Sequence, residues 1–195
     1  MRYRRLSVRY TMVRGVQPGW PLEELWPRLE YRLLELEPLD GLPSEYVAVK
    51  AYFNEVLPAT PETRAFLRAA IERLTQTVDV VLLATGLLVD DHEEWAAQTD
   101  RVHSIEHLLR PEDNLAVQTR VIAGARGLVA TYGGFSYLAP FVGVPALTFL
   151  EVEQTVPIHL EVLRAALPDA DYEQIRVGDL DAVDAFARRL LRRRS

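Results

Sequence analysis

At 195 residues the chain has room for one well-filled domain and only a small second one. Its formal net charge of −6 argues against a nucleic-acid-binding face, because too little positive potential remains to displace counterions. The absence of cysteine removes disulfides and thiolate chemistry, and no apolar run approaches the roughly 18 residues that span a membrane.

The opening MRYRRLSVRYTMVRG carries charge but no apolar stretch of signal-peptide length, so a cytoplasmic protein is expected. Residues 1–45 lack a core pattern of their own. Leu22, Leu25, Trp26, Leu29, Leu33 and Leu36 recur at helical spacing, Pro27 interrupts them, and Leu29, Tyr31 and Leu33 also alternate as in a strand. Pro38, Gly41 and Pro43 then read as a linker, which sets an expected boundary between residues 45 and 46.

From Tyr46 the pattern becomes regular. YVAVKAYF (46–53) predicts a buried strand, and Thr60 before Pro61 predicts a capped helix start. Phe66, Leu67, Ala70, Ile71 and Leu74 supply that helix with one apolar stripe. VDVVLLAT (78–85) predicts a second strand, followed by the acidic DDHEEW, and RVHSI (101–105) a third. A helix over 114–125, capped by Asn114, leads into GLVAT (127–131), the fourth strand.

Gly133 and Gly134 follow at once, then a short helix around 135–142, Gly143, and PALTFL (145–150) as the fifth strand. Pro157 to Leu167 reads as helix, YEQIRV (172–177) as a sixth strand, and Asp179 as the cap of a last helix. The arginines 188, 189 and 192–194 read either as its solvated end, opposing the helix dipole, or as a membrane or polyanion contact.

Six strands alternating with helices imply parallel pairing and right-handed crossovers, hence a doubly wound α/β sheet. Ligands bind such sheets outside the carboxyl ends of the strands. That rule selects Thr131, Tyr132, Gly133, Gly134, Phe135 and Ser136, where a strand ends and a helix begins. Unpaired amides and a positive dipole end suit a phosphate there, and a glycine lets it approach the backbone; the alternative is a tight turn that merely uses glycine. Lys50 is the only lysine beside 21 arginines. Inside a strand, its ammonium is read either as a partner of ligand phosphates or as a snorkelling or ion-paired side chain.

The remaining candidates follow from the same rule. Asp91 and His92 lie after the second strand, as cleft residues, as an acidic helix start, or with Asp90 as a metal cluster. Asn114 and Gln118 share one face of a helix, and His159 stands near the start of another. Glu151 and Glu153 follow the fifth strand, where a carboxylate matches the two adjacent hydroxyls of a ribose; a solvated acidic loop is the other reading.

The stretch from Tyr46 to about Leu167 resembles the nucleotide-sugar-binding C-terminal half of GT-B-fold glycosyltransferases. VAVKAYF, VDVVLLATG with its DDH, NLAVQT and above all ATYGGFSYLAPFVGVPALTF carry the likeness. Heptosyltransferases have the turn D-S/T-G-x-x-H-L-A-x-x-x-G-x-P, which Gly134, Leu138, Ala139, Gly143 and Pro145 match. Tyr132 stands in place of the family's aspartate and Tyr137 in place of its histidine.

The resemblance implies a nucleoside diphosphate sugar as donor substrate, no separate cofactor and no bound metal. It further implies diphosphate at the Gly-Gly turn with Lys50, a nucleobase near Ser104, Ile105 and Glu106, and sugar contacts from Asp91, His92, Asn114, Gln118, Tyr137 and His159. A GT-B enzyme keeps its acceptor site and general base on an N-terminal domain that residues 1–45 cannot build. The acceptor, a saccharide or a lipid-linked glycan, is therefore expected to need a further domain or partner chain. An epimerase or pyruvyl-transferase-like enzyme of the same architecture, or a non-catalytic module binding a nucleotide sugar or a protein, stays open at this point.

Overall fold

The computed structural model describes residues 36–37, 39–83, 93–94, 100–151, 160, 163–164 and 166–192. The chain divides into two compact units, Met1–Arg32 with Val156–Ala170, and Leu33–Thr155 with Asp171–Ser195. In the first, Leu160, Leu163, Arg164 and Ala166 are helical. The second carries the sheet. It also takes in part of the expected linker: Leu39 and Leu42 pack on its core, and Glu45 pairs with Arg126.

Eight strands occur among the described residues: β1 (Tyr46–Lys50), β2 (Tyr52–Phe53), β3 (Asp79–Leu82), β4 (Glu93–Glu94), β5 (Val102–Ser104), β6 (Gly127–Thr131), β7 (Ala146–Leu150) and β8 (Tyr172–Arg176). Four α-helices accompany them: α1 (Pro61–Thr75), α2 (Asn114–Gly124), α3 (Gly134–Phe141) and α4 (Leu180–Arg192). Six strands form one all-parallel sheet in the order β5-β3-β1-β6-β7-β8. This is the doubly wound α/β architecture expected from the sequence.

Alternation along each buried strand fills two cores. Val47, Val49, Val80, Leu82, Val129 and Leu147 face Phe66, Leu67, Leu74, Val183 and Phe186 of α1 and α4. Ala48, Val81, Leu128, Ala130 and Ala146 face Val121, Ile122 and Ala139 of α2 and α3. The connection from β1 leads outward to β3 and that from β6 leads the other way to β7. The order therefore reverses between β1 and β6, the point at which sheets of this kind take ligands at the carboxyl ends of their strands.

Local chemistry sets the helix ends. Thr60 accepts the Thr63 N–H at 3.2 Å while Thr63 accepts the Thr60 N–H at 3.0 Å, a reciprocal cap ahead of Pro61. Asp179 caps α4 through the Ala182 N–H at 3.0 Å. At the end of α3, Gly143 takes φ 75°. Its N–H reaches the Pro140 carbonyl at 3.1 Å and the Val144 N–H reaches that of Ala139 at 2.9 Å, a Schellman closure. Asn114 departs from expectation: Asp113 precedes the helix, and Asn114 is its first residue, bonded through Oδ1 to Gln118 Nε2.

Tyr46 secures the other end of α2. Its buried hydroxyl donates to the Val121 carbonyl at 2.7 Å, one of the last carbonyls of a helix that lack a partner within it. Burial pushes the Tyr46 hydroxyl up to about 12. Tyr46→Phe should therefore cost about 1–3 kcal/mol near neutral pH, the penalty of an unsatisfied buried carbonyl. A raised folded-state value stabilises fully below the unfolded value near 10 and is lost as pH climbs toward 12. The stability gap between native and variant should thus narrow across that window in urea unfolding, and a gap that stays constant would refute the assignment.

Candidate nucleotide site

The expected strand 46–53 breaks at Ala51. β1 ends at Lys50, and Tyr52–Phe53 leave the main sheet to pair antiparallel with Glu93–Glu94. Thr131, the last residue of β6, causes the break. Its hydroxyl accepts the Tyr52 N–H at 3.1 Å and donates to the Tyr52 carbonyl at 2.8 Å, so one side chain replaces a strand neighbour. That O–H is committed to the backbone of Tyr52.

The Tyr52 ring then returns over the Gly-Gly turn. A Cβ built on Gly133 would lie 2.0 Å from the Tyr52 hydroxyl, whereas one on Gly134 would meet nothing within 4 Å. Gly133 has φ 163°, ordinary extended backbone, so close approach of Tyr52 and not dihedral freedom requires glycine there. Gly134 is exposed and opens α3. Among the described residues the N–H groups of Gly134 and Phe135 meet no hydrogen-bond partner, as expected for a first helical turn.

Lys50 shares its sheet face with Ala48, on the side of α2 and α3. It is only 7% exposed. Nζ donates to the Leu83 carbonyl at 2.7 Å, just past β3, and lies 5.4 Å from the Phe135 ring centroid, close enough for a cation–π contact. A buried cation, two open amides and the dipole end of α3 thus gather at the point where the strand order reverses. Their shared chemistry is attraction for an anion.

Ser136 and three tyrosines back the turn. The Ser136 hydroxyl donates to the Gly133 carbonyl at 2.7 Å, accepts the Gly133 N–H at 3.3 Å, and meets the Tyr172 hydroxyl at 2.9 Å. Tyr137 donates to Tyr132 at 2.6 Å and stacks on Tyr172 with centroids 5.4 Å apart. Burial, reinforced by the bond to Tyr132, holds the Tyr137 hydroxyl far above its ordinary range, and burial also raises Tyr52 and Tyr172. All three therefore stay neutral near physiological pH.

The other sequence-selected residues separate. Ser104 and Glu106 are exposed at the end of β5, with Ser104 Oγ accepting the Glu106 N–H at 3.2 Å. Ile105 is fully buried in the core on the α2 face, which leaves backbone groups of this turn for a base. Glu151 is exposed, its N–H tied to the Val56 carbonyl at 2.9 Å. Gln118 is 2% exposed, and its Oε1 has no hydrogen-bond partner among the described residues. Asp91, His92, Glu153 and His159 lie outside the described residues.

Sequence reasoning misses Tyr52 and Tyr172. The alternation of YEQIR places Tyr172 and Gln174 on one face of β8, but nothing local joins Tyr172 to a serine 36 positions earlier. Tyr52 carries no signal short of knowing that the first strand breaks beside it.

No family model and no curated protein matches the chain. It is similar to the solved structure of E. coli heptosyltransferase WaaC with ADP, at 16% identity and a TM-score of 0.48, over 78% of this chain and 46% of that one. It is also similar to the glycotransferase of kitacinnamycin, at 16% identity and a TM-score of 0.48, over 81% of this chain and 39% of that one. The chain therefore spans less than half the length of either.

Proposed function

We propose that this chain is the donor-binding half of a GT-B-type glycosyltransferase, holding a nucleoside diphosphate sugar at the crevice between β1 and β6. The single observation behind this reading is that Gly134 and Phe135 present open amides beside the buried Lys50 where the strand order reverses. In transfer, the bond from the sugar's anomeric carbon to the diphosphate oxygen breaks as one to the acceptor hydroxyl oxygen forms. Negative charge then grows on the leaving diphosphate. The amides of α3 and the Lys50 ammonium are fixed in advance where that charge develops, so they bind the transition state better than the ground state. The proton of the acceptor hydroxyl passes to a base on the acceptor half.

We further assign the nucleobase to the Ser104–Glu106 turn, the ribose to Glu151 and Glu153, and the sugar to Asp91, His92, Asn114, Gln118 and Tyr137. The unpartnered Gln118 Oε1 supports its part, because a buried acceptor without a donor is costly until a ligand hydroxyl supplies one. Calorimetric titration with ADP, GDP, UDP, CDP and their sugar conjugates tests the reading. Saturable binding that requires the diphosphate is expected. Affinity equal to that of the matching nucleosides, or no binding, would overturn it.

A further inference from the structure

We infer that Tyr172, on the edge strand β8, is a positioning residue that fixes the α3 amides for the diphosphate, an inference that rests on the donor-binding reading. The hydroxyl of Ser136 has one proton to give and two lone pairs to fill. Its proton goes to the Gly133 carbonyl, and one lone pair takes the Gly133 N–H. With the Ser136 proton on the Gly133 carbonyl, we assign the Tyr172 hydroxyl, 2.9 Å away, as the donor to the other. This leaves the Ser136 hydroxyl a single orientation, and through it fixes both backbone polar groups of Gly133.

The Tyr172 ring acts on the other flank. Tyr137 lies nearly parallel to it, at 9°, and donates to Tyr132, the residue just before Gly133. Tyr132 and Tyr137 meet edge to face at 5.7 Å. Gly133 is therefore held from both sides by contacts that converge on one residue of β8. β8 pairs with β7 and not with β6, so the brace crosses a whole strand to reach the turn. Gly134 has open space around it and no side chain of its own to anchor it, so the aim of its amide depends on what holds Gly133.

Tyr172→Phe tests this, since it keeps the stacked ring and removes the hydroxyl. Affinity for the tightest-binding of ADP, GDP, UDP and CDP should fall about five- to tenfold, while affinity for the matching nucleoside stays unchanged. Ser136→Ala should give a similar loss, and the double variant should be no weaker than Ser136→Ala alone, because Tyr172 acts through Ser136. A hydroxyl that serves only the fold would lower the denaturation midpoint and leave the ratio of diphosphate to nucleoside affinity as it was. An unchanged ratio, or losses that add in the double variant, would overturn the inference. Failure of the unsubstituted chain to bind any diphosphate would instead overturn the donor-binding reading, and this inference with it.

Discussion

Gly134→Val should leave the chain folded and cut nucleoside diphosphate affinity about 100-fold, while Gly133→Ala should damage the fold itself. The two neighbours differ because their missing side chains face different things. In a helix the Cα–Cβ bond leans toward the N-terminus, so a side chain on the first residue of α3 projects into the approach to its open amides. Among the described residues nothing lies within 4 Å of a Cβ placed there. A valine there would keep a diphosphate from two charge-assisted bonds of about 1.5–3 kcal/mol each, and the lower end of their sum sets the 100-fold scale. At Gly133 even one methyl group meets the Tyr52 hydroxyl at 2.0 Å. Since Thr131 clamps the Tyr52 backbone, the ring cannot swing away freely, and overpacking of this kind costs about 1–3 kcal/mol. Tyr52→Phe should recover much of that cost in the double variant, because the next ring atom stands 3.4 Å off. Urea unfolding of the four chains in this cycle reads the coupling directly. No recovery in the double variant would show that Tyr52 is not what demands glycine.

The same turn marks how far the sequence can be read. The order of strands and helices was legible because buried parallel strands are continuous apolar runs and the helices carry their caps and stripes in plain view. The Gly-Gly turn was legible because the carboxyl-end rule points to it. The reason for each glycine was not. Gly133 answers to a tyrosine 81 positions earlier, brought there only because Thr131 spends its hydroxyl on the Tyr52 backbone and breaks a run that reads as one strand. Asn114 looked like a cap, yet its amide serves the buried Gln118. The heptosyltransferase pattern also gains physical content. The chain departs from it at Tyr132, Gly133 and Tyr137, and the two tyrosines touch each other through their hydroxyls. A pair of bonded hydroxyls stands where the pattern has a carboxylate and an imidazole, so these two departures are one coupled change of chemistry.

Lys50→Met carries the second large expectation: a loss of about 100-fold in nucleoside diphosphate affinity with little change in stability. Methionine matches the length of the buried stem, so packing against Phe135 survives. The fold forfeits the charge-assisted bond to the Leu83 carbonyl, about 1.5–3 kcal/mol, with the ammonium's other contacts, and no longer has to keep an ammonium out of water, an opposing term. The ligand loses more. A charge on a group only 7% exposed is poorly screened, and its attraction for a diphosphate is correspondingly strong. Salt separates this account from a structural one. Affinity of the native chain should weaken as ionic strength rises, and the variant, lacking the cation, should show a shallower dependence. Parallel salt dependences for the two chains would mean that Lys50 serves the Leu83 carbonyl and not the ligand. Arginine should not rescue the loss: its planar fork is wider than an ammonium and has to fit between the Leu83 carbonyl and an aromatic face. The lone lysine in a chain otherwise furnished with arginine would then owe its place to the shape of that slot.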